Sequence, residues 1–132
     1  MRRKENDFMD INDISTCEKF VMKVIWDSTE DLALQDIMGK VNEENDKSWK
    51  PQTVSTFLSR LVKKGFLSMY RKGRYCYYKP LVSKREFWKA TVNEDVRMFS
   101  NGDAEDFVCC LCDEMLSKED ITKLKMRLDE LS

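Results

Sequence analysis

The chain has 132 residues, 42% hydrophobic and 36% charged, which is enough for one small domain with an appendage. It has no histidine, which excludes Ser-His and Cys-His nucleophile pairs and histidine-containing metal sites. We find no glycine-rich phosphate loop and no clustered acid pair within a likely cleft, so we expect neither an enzyme nor a bound cofactor. No apolar run reaches the roughly 18 residues of a membrane helix and no secretory leader is evident, so we expect a cytoplasmic protein without membrane contact.

Charge is segregated along the sequence. The stretch 47–85 holds 11 of the 23 Lys and Arg and none of the 24 Asp and Glu. Its net charge is therefore +11, and the remainder, with 12 basic and 24 acidic residues, has a net charge of −12. A basic surface on an otherwise acidic protein is typical of nucleic-acid binding. The simpler alternative is a solvated amphipathic helix with a charged hairpin.

The first part of the chain predicts two short helices. Residues 1–13 are polar and predict a flexible arm. Ser15 and Glu18 form a capping box ahead of an apolar period, which predicts a helix that ends near residues 26–27. Residues 32–34 predict a brief strand, and a second helix is expected over about 35–44.

A third helix is predicted from Pro51 to Lys64, because proline is well tolerated at the first helical position and Gly65 ends the pattern. Its apolar stripe comprises Val54, Phe57, Leu58, Leu61 and Val62.

The residues after this helix predict a β-hairpin. Strands are expected over 66–71 and 74–80, with Lys72-Gly73 as the turn between them. The cations Arg71, Lys72 and Arg74 then lie at or beside the tip. The four tyrosines of the hairpin more often pack half in and half out of a strand than stack on single-stranded bases, which is the alternative.

The last fifty residues predict three further helices. A capping box at Ser83 starts the first, Asn101-Gly102 breaks it, a second spans about 104–115, and Ser117 caps the last. These helices lie beyond the hairpin and have little to pack on except a partner, although an ordinary monomer core is the alternative. The predicted dimerisation residues are Trp88, Val92, Val96, Phe99, Phe107, Val108, Leu111, Ile121, Leu124, Leu128 and Leu131.

Three helices followed by a basic hairpin indicate a winged helix-turn-helix. The expected fold is mainly α with a small β-hairpin: an arm at 1–13, a DNA-binding domain at 14–82 and a helical dimerisation domain at 83–132. The third helix would enter the major groove, where glutamine can pair with adenine and a threonine methyl can pack on thymine. The predicted DNA-binding residues are Lys50, Gln52, Thr53, Ser55, Thr56, Ser59, Arg60, Lys63, Arg71, Lys72 and Arg74.

Three runs of the sequence resemble the penicillinase-repressor and methicillin-resistance-repressor family of bacterial winged-helix regulators, which also includes copper-responsive repressors. The runs are Ile14-Ser15-x-x-Glu18-x-x-Val21-Met22-x-x-x-Trp26, Trp49-x-Pro51-x-Thr53-Val54-x-Thr56-x-Leu58-x-Arg60-Leu61-x-Lys63-Lys64-Gly65-Phe66, and the Tyr-rich hairpin with the Leu116-Ser117 start of the last helix. The resemblance implies a homodimeric repressor that binds palindromic double-stranded operator DNA.

The chain departs from this family at four places. Gln52 and Ser55 occupy positions where members often carry a cation, whereas Thr53, Thr56 and Arg60 match family positions that face DNA. The antibiotic-responsive members are cut by a sensor protease at an Asn-Phe pair, which this chain lacks; its comparable region is 103–107. Copper-responsive members carry two Cys-x-Cys pairs, and this chain has one.

The cysteines of the C-terminal half are Cys109, Cys110 and Cys112. Free cysteine behaves as a small hydrophobe, so packing in the dimer interface is the expected role and no metal site is predicted. Thiolate ligation of a soft cation between subunits and a redox switch are the alternatives. For the protein as a whole, the alternative to a repressor is a protein-protein interaction module on a winged-helix scaffold.

Overall fold

The computed structural model describes residues 13–132. Apart from Asp13, the predicted N-terminal arm lies outside these residues. The elements in chain order are α1 (Thr16–Asp27), β1 (Leu32–Ala33), α2 (Leu34–Asn45), α3 (Pro51–Lys63), β2 (Leu67–Lys72), β3 (Tyr75–Pro80), α4 (Lys84–Ser100), α5 (Ala104–Glu114) and α6 (Lys118–Leu131). This mainly helical chain with a small antiparallel sheet confirms the predicted fold class.

Side chains close the helix starts as the sequence predicts. The Ser15 side chain accepts from the Glu18 backbone amide, and Glu18 accepts from the Ser15 amide, so both halves of the capping box at α1 are formed. The pair Ser83 and Glu86 makes the same two bonds at α4. At α6, Ser117 pairs with Asp120 in the same way. Each cap satisfies backbone donors that have no partner inside the helix.

The sheet has three strands in the order β1-β3-β2, all antiparallel. The brief strand predicted over 32–34 is confirmed for Leu32 and Ala33. The turn predicted at Lys72-Gly73 is wrong by one residue, because Lys72 pairs with Tyr75 and leaves Gly73 and Arg74 as the two-residue loop. Gly73 has φ +66°, which suits the first central position of a hairpin turn that matches the strand twist.

The core lies among α1, α2, α3 and the sheet, which pack on one another. α3 contributes Val54, Leu58 and Leu61, all fully buried. Val62, which the sequence placed on the same stripe, is 36% exposed because it lies at the margin of that face. The largest fully buried side chains include Phe66, Met22, Ile37, Leu58, Leu61 and Leu67. Within the described part of the chain, no helix is long and apolar enough to cross a membrane.

The chain divides into two units, of which the first ends at Lys89 and the second is Ala90–Ser132. The division falls inside α4, because Phe87 is buried in the first unit with its ring centroid 5.4 Å from that of Trp26 and 6.0 Å from that of Phe66. The second unit consists of the rest of α4, with α5 and α6, and none of its residues is buried.

Candidate nucleic-acid interface

The amphipathic character of α3 produces a solvent face of neutral polar side chains. With Val54, Leu58 and Leu61 fixed in the core, the 3.6-residue period turns the intervening positions outward. The exposed positions are Gln52, Ser55, Thr56, Ser59, Arg60 and Lys63, and Thr53 is half-buried. Hydroxyl and amide groups therefore occupy the front of the helix, and its cations lie towards the C-terminal end.

The start of α3 is fixed by the side chain of Asn42 from the end of α2. The Asn42 amide donates to the Trp49 carbonyl at 3.1 Å and its oxygen accepts from the Trp49 backbone amide at 2.9 Å. The Trp49 ring lies 5.0 Å from the Phe57 ring and 6.4 Å from the Phe20 ring, between centroids. Lys50, the N-cap residue, is exposed beside these anchored groups.

The two lysines at the end of α3 have different surroundings. Lys63 is exposed, whereas the Lys64 ammonium lies 2.8 Å from the buried Glu18 carboxylate and also donates to the Asp13 carbonyl. Lys64 is therefore engaged in fastening α3 to α1. The Arg60 guanidinium lies 5.9 Å from the centroid of the Phe57 ring, so its stem runs along the helix surface.

The hairpin of β2 and β3 forms the wing. Its cations Arg71, Lys72 and Arg74 are all exposed. The Tyr70 hydroxyl donates to Asp31 at 2.7 Å, and this bond raises the pKa of Tyr70. The Tyr70 ring also stacks on Tyr77, with centroids 5.8 Å apart.

Tyr78, on the same strand as Tyr77, is buried, and burial raises the pKa of its hydroxyl. Three of the four wing tyrosines thus make contacts within the first unit, whereas Tyr75 is 57% exposed. The interpretation that they pack against the protein is more consistent with these contacts than stacking on single-stranded bases.

Of the 11 residues predicted to bind DNA, ten are exposed and Thr53 is half-buried. All belong to the first unit, where β2 packs against α3. The structure thus places the wing cations on an element in contact with α3. None of these side chains is used in an ion pair among the described residues. The positive charge of the lysines and arginines among them is therefore available to a polyanion such as DNA.

The residues predicted to form a dimer interface differ in how far they are exposed to solvent within one chain. Half-buried positions are Val92, Val96, Phe107, Leu111 and Ile121, and exposed positions are Trp88, Phe99, Val108, Leu124, Leu128 and Leu131. Phe99, at 78% exposed, is the extreme case. Trp88 belongs to the first unit and the others to the second.

All three cysteines of α5 are exposed in the single chain. The pKa of the Cys109 thiol is raised, by local desolvation and then by Glu105, Cys112, Asp113 and Asp106. A raised pKa disfavours the thiolate, which is the form that reacts and binds metals. Across residues 13–132 there is no cluster of three or more His, Cys, Asp or Glu arranged to hold a metal ion.

Sequence reasoning missed two groups that support the site. Asn42 was predicted only as a residue near the end of the second helix, and no local pattern signals its bonds to Trp49. Glu18 was recognised only as a capping residue, although its ion pair with Lys64 joins positions 46 residues apart.

The chain is similar to two known regulatory proteins, to one solved DNA-binding domain and to one protein family. The penicillinase repressor of Bacillus licheniformis is 31% identical over 121 residues, which cover 91% of this chain and 92% of that protein. The methicillin resistance regulatory protein MecI of Staphylococcus aureus strain N315 is 26% identical over 119 residues, covering 89% and 94%. The solution structure of the DNA-binding domain of the repressor BlaI is 32% identical with a TM-score of 0.50, covering 59% of this chain and 92% of that domain. A match to the penicillinase repressor family spans residues 14–130, so the chain belongs to this family.

Proposed function

We propose that the protein is a homodimeric transcriptional repressor that binds a palindromic operator in double-stranded DNA through α3 and the wing. The observation that carries this proposal is the exposed neutral face of α3, bordered by cations on the helix and on the adjoining wing. Relatives in the same family include a penicillinase repressor and a methicillin resistance regulatory protein, which supports the same function here.

The charged and the neutral exposed side chains have different roles in DNA binding in this proposal. Lys50, Arg60, Lys63 and the wing cations provide charge for phosphate contacts, which set the position of the protein along the duplex. The front of α3 provides the groups that distinguish bases in the major groove. Residues 14–82 form the DNA-binding domain in this proposal.

The second unit provides the reason to propose a dimer, with residues 83–132 as the dimerisation domain. From residue 90 onward these helices bury no residue within one chain, yet helices in proteins are stabilised chiefly by packing of an apolar face. About 40 residues without a core do not hold a fold alone. Large apolar side chains that are more than 40% exposed in this unit are Met98, Phe99, Val108, Met115, Met126, Leu128 and Leu131. A second copy of these helices covers such a surface.

A two-fold dimer presents two copies of α3 to DNA. Operators for such dimers are palindromic, with half-sites separated by about 34–36 Å or multiples of that distance. Occupancy of such a site blocks transcription by occlusion.

We expect the protein to act in the cytoplasm. A sensor protease is one candidate inducing partner, although the chain lacks the Asn-Phe pair at which the antibiotic-responsive members are cut.

The test is equilibrium binding of the full chain to duplex DNA from its own upstream region, measured by fluorescence anisotropy across salt concentrations. The logarithm of the affinity should fall with the logarithm of salt by about 0.9 for each phosphate neutralised. Arg60→Ala should weaken binding and reduce the slope by about 2 units for a dimer, because one contact is lost per protomer.

The control is Lys125→Ala, which removes an exposed cation of α6 and should leave the slope unchanged. Absence of duplex binding by the unaltered protein at low salt would reject the repressor and favour the protein-protein module. Full affinity in Arg60→Ala would remove Arg60 from the interface.

A further inference from the structure

The first two turns of α3 carry no charge. From Pro51 to Ser59 no Lys, Arg, Asp or Glu occurs, and in a helix-turn-helix these N-terminal positions of the third helix contact base edges. Gln52 has the longest polar side chain among them and is exposed. Within residues 13–132 its side-chain amide has no hydrogen-bond partner, so both its donor and its acceptor are available.

Thr56 lies one turn after Gln52 on the same face and has a defined orientation. Its hydroxyl donates to the Gln52 backbone carbonyl at 3.0 Å. Because a hydroxyl has one proton and a β-branched side chain is stiff about χ1, this bond fixes the rotamer and uses the donor. Thr56 therefore offers DNA a methyl group and a lone pair, and no hydrogen-bond donor.

We propose that Gln52 recognises an adenine and that the Thr56 methyl packs on the methyl of a thymine, so that each half-site contains A·T pairs at these two positions. The proposal rests on the proposed function. A glutamine amide matches the N6 and N7 groups of adenine in the major groove, and the thymine methyl accepts an apolar contact. Side chains one helical turn apart, about 5.4 Å, reach bases one or two steps apart at about 3.4 Å per step.

The positions of the cations support recognition of adenine, rather than guanine, at the front of α3. Bidentate pairing with guanine is the usual role of arginine or lysine in the major groove. Lys50 precedes the helix as its N-cap, where the proposed function gives it a phosphate contact. The cations within the helix, Arg60 and Lys63, lie in the last turn of α3, and Arg60 extends over Phe57. Ser55 and Ser59 are too short to replace a long cation at the front of the helix.

The test begins with selection of binding sites by the full chain from a randomised duplex library. We expect an adenine at one fixed position in each half-site. Gln52→Lys should change that position alone to guanine, and Gln52→Ala should abolish the preference there. All these residues are exposed, so the variants should retain the circular dichroism spectrum of the parent.

Base analogues in the selected duplex give a matched check of each contact. Replacing the adenine by 7-deazaadenine, which lacks N7, should weaken binding about tenfold for the unaltered protein and have no effect on Gln52→Ala. Replacing the thymine by uracil should weaken binding of the unaltered protein and have no effect on Thr56→Ser, which keeps the hydroxyl but lacks the methyl.

The outcomes separate the two proposals. If Gln52→Lys selects the same sequence as the parent, or if 7-deazaadenine weakens Gln52→Ala as much as the parent, the assignment of Gln52 is wrong while the repressor stands. If uracil has no effect on the parent, the assignment of Thr56 is wrong. If the parent binds no duplex at low salt, the proposed function itself fails.

Discussion

Glu18 is a carboxylate only 1% exposed beneath the C-terminal end of α3. One oxygen accepts from the Ser15 amide at 2.9 Å and from the Lys64 ammonium at 2.8 Å. The other oxygen is buried without a hydrogen-bond partner among residues 13–132. Burial raises the pKa of Glu18, but the bonds from Lys64 and Ser15 outweigh burial, so the pKa lies below its ordinary value of 4.5. The charged form is therefore the one that the fold stabilises.

We expect Glu18→Gln to lower the free energy of unfolding by about 2 kcal/mol at pH 7, because it leaves the Lys64 ammonium without its counter-ion. A carboxylate whose pKa is lower in the folded state stabilises the protein above its unfolded pKa, and this contribution disappears as the pH falls through the folded pKa. The difference between parent and variant should thus be full at pH 7 and shrink below about pH 4.5. Urea unfolding followed by circular dichroism measures both quantities.

The matched control is Glu119→Gln, whose partner Lys123 lies 3.2 Å away in an exposed pair. Exposed ion pairs contribute little, so this variant should resemble the parent at every pH. A difference between Glu18→Gln and the parent that does not change with pH would contradict the role given to the Glu18 charge.

At the scale of elements, the position of α3 depends on how its two ends are held. Asn42 fixes the backbone of Trp49 at the start, and Lys64 ties the end to Glu18. Both anchors lie outside the exposed face that we propose reads DNA. The groups that orient this face are thus distinct from those that contact bases.

Asn42→Ala should lower the free energy of unfolding by about 1–2 kcal/mol, because two partly buried hydrogen bonds to Trp49 are lost. It should also weaken operator binding beyond what stability explains, since the start of α3 is no longer fixed. The control Asn45→Ala removes a single bond to the Val41 carbonyl within α2 and should be close to neutral in both assays. Equal operator affinity in the two variants would show that the Asn42 contacts do not position α3.

Local features of these elements were predictable from the sequence. The capping boxes join residues three apart, and Pro51 and Gly65 delimit α3 through their own backbone preferences. The hairpin turn was misplaced by one residue, because its register depends on how β2 and β3 pair along their whole length. The ion pair of Glu18 with Lys64 was not predictable, since nothing local relates positions so far apart.

At the scale of the whole molecule, the two units differ in how their apolar side chains are used. The first unit encloses a core that includes Phe66 and Leu67, whereas the second buries no residue within one chain. The same contrast was only partly visible in the sequence, where both halves show helical periodicity. Burial depends on what each helix packs against, and for the second unit we propose a second copy of the chain.

Leu124→Asp should convert the proposed dimer to a monomer and reduce operator affinity, because Leu124 is 40% exposed in one chain and is one of the predicted dimerisation residues of α6. A buried unpaired carboxylate is costly. Sedimentation equilibrium measures the mass, and fluorescence anisotropy measures operator binding. The control Lys125→Asp introduces the same side chain at the next position, which faces another side of α6, and should remain dimeric. A Leu124→Asp protein that sediments as a dimer would place the interface elsewhere.

The neutral front of α3 has a consequence for behaviour under osmotic stress. If all the cations that contact DNA act on phosphates, they act equally on the operator and on random sequence, so changes in ionic strength weaken both complexes in parallel. The uncharged contacts that distinguish the two are insensitive to ions. The ratio of operator affinity to random-sequence affinity should therefore stay nearly constant as the salt concentration rises and falls, and discrimination between sites would persist when occupancy itself declines.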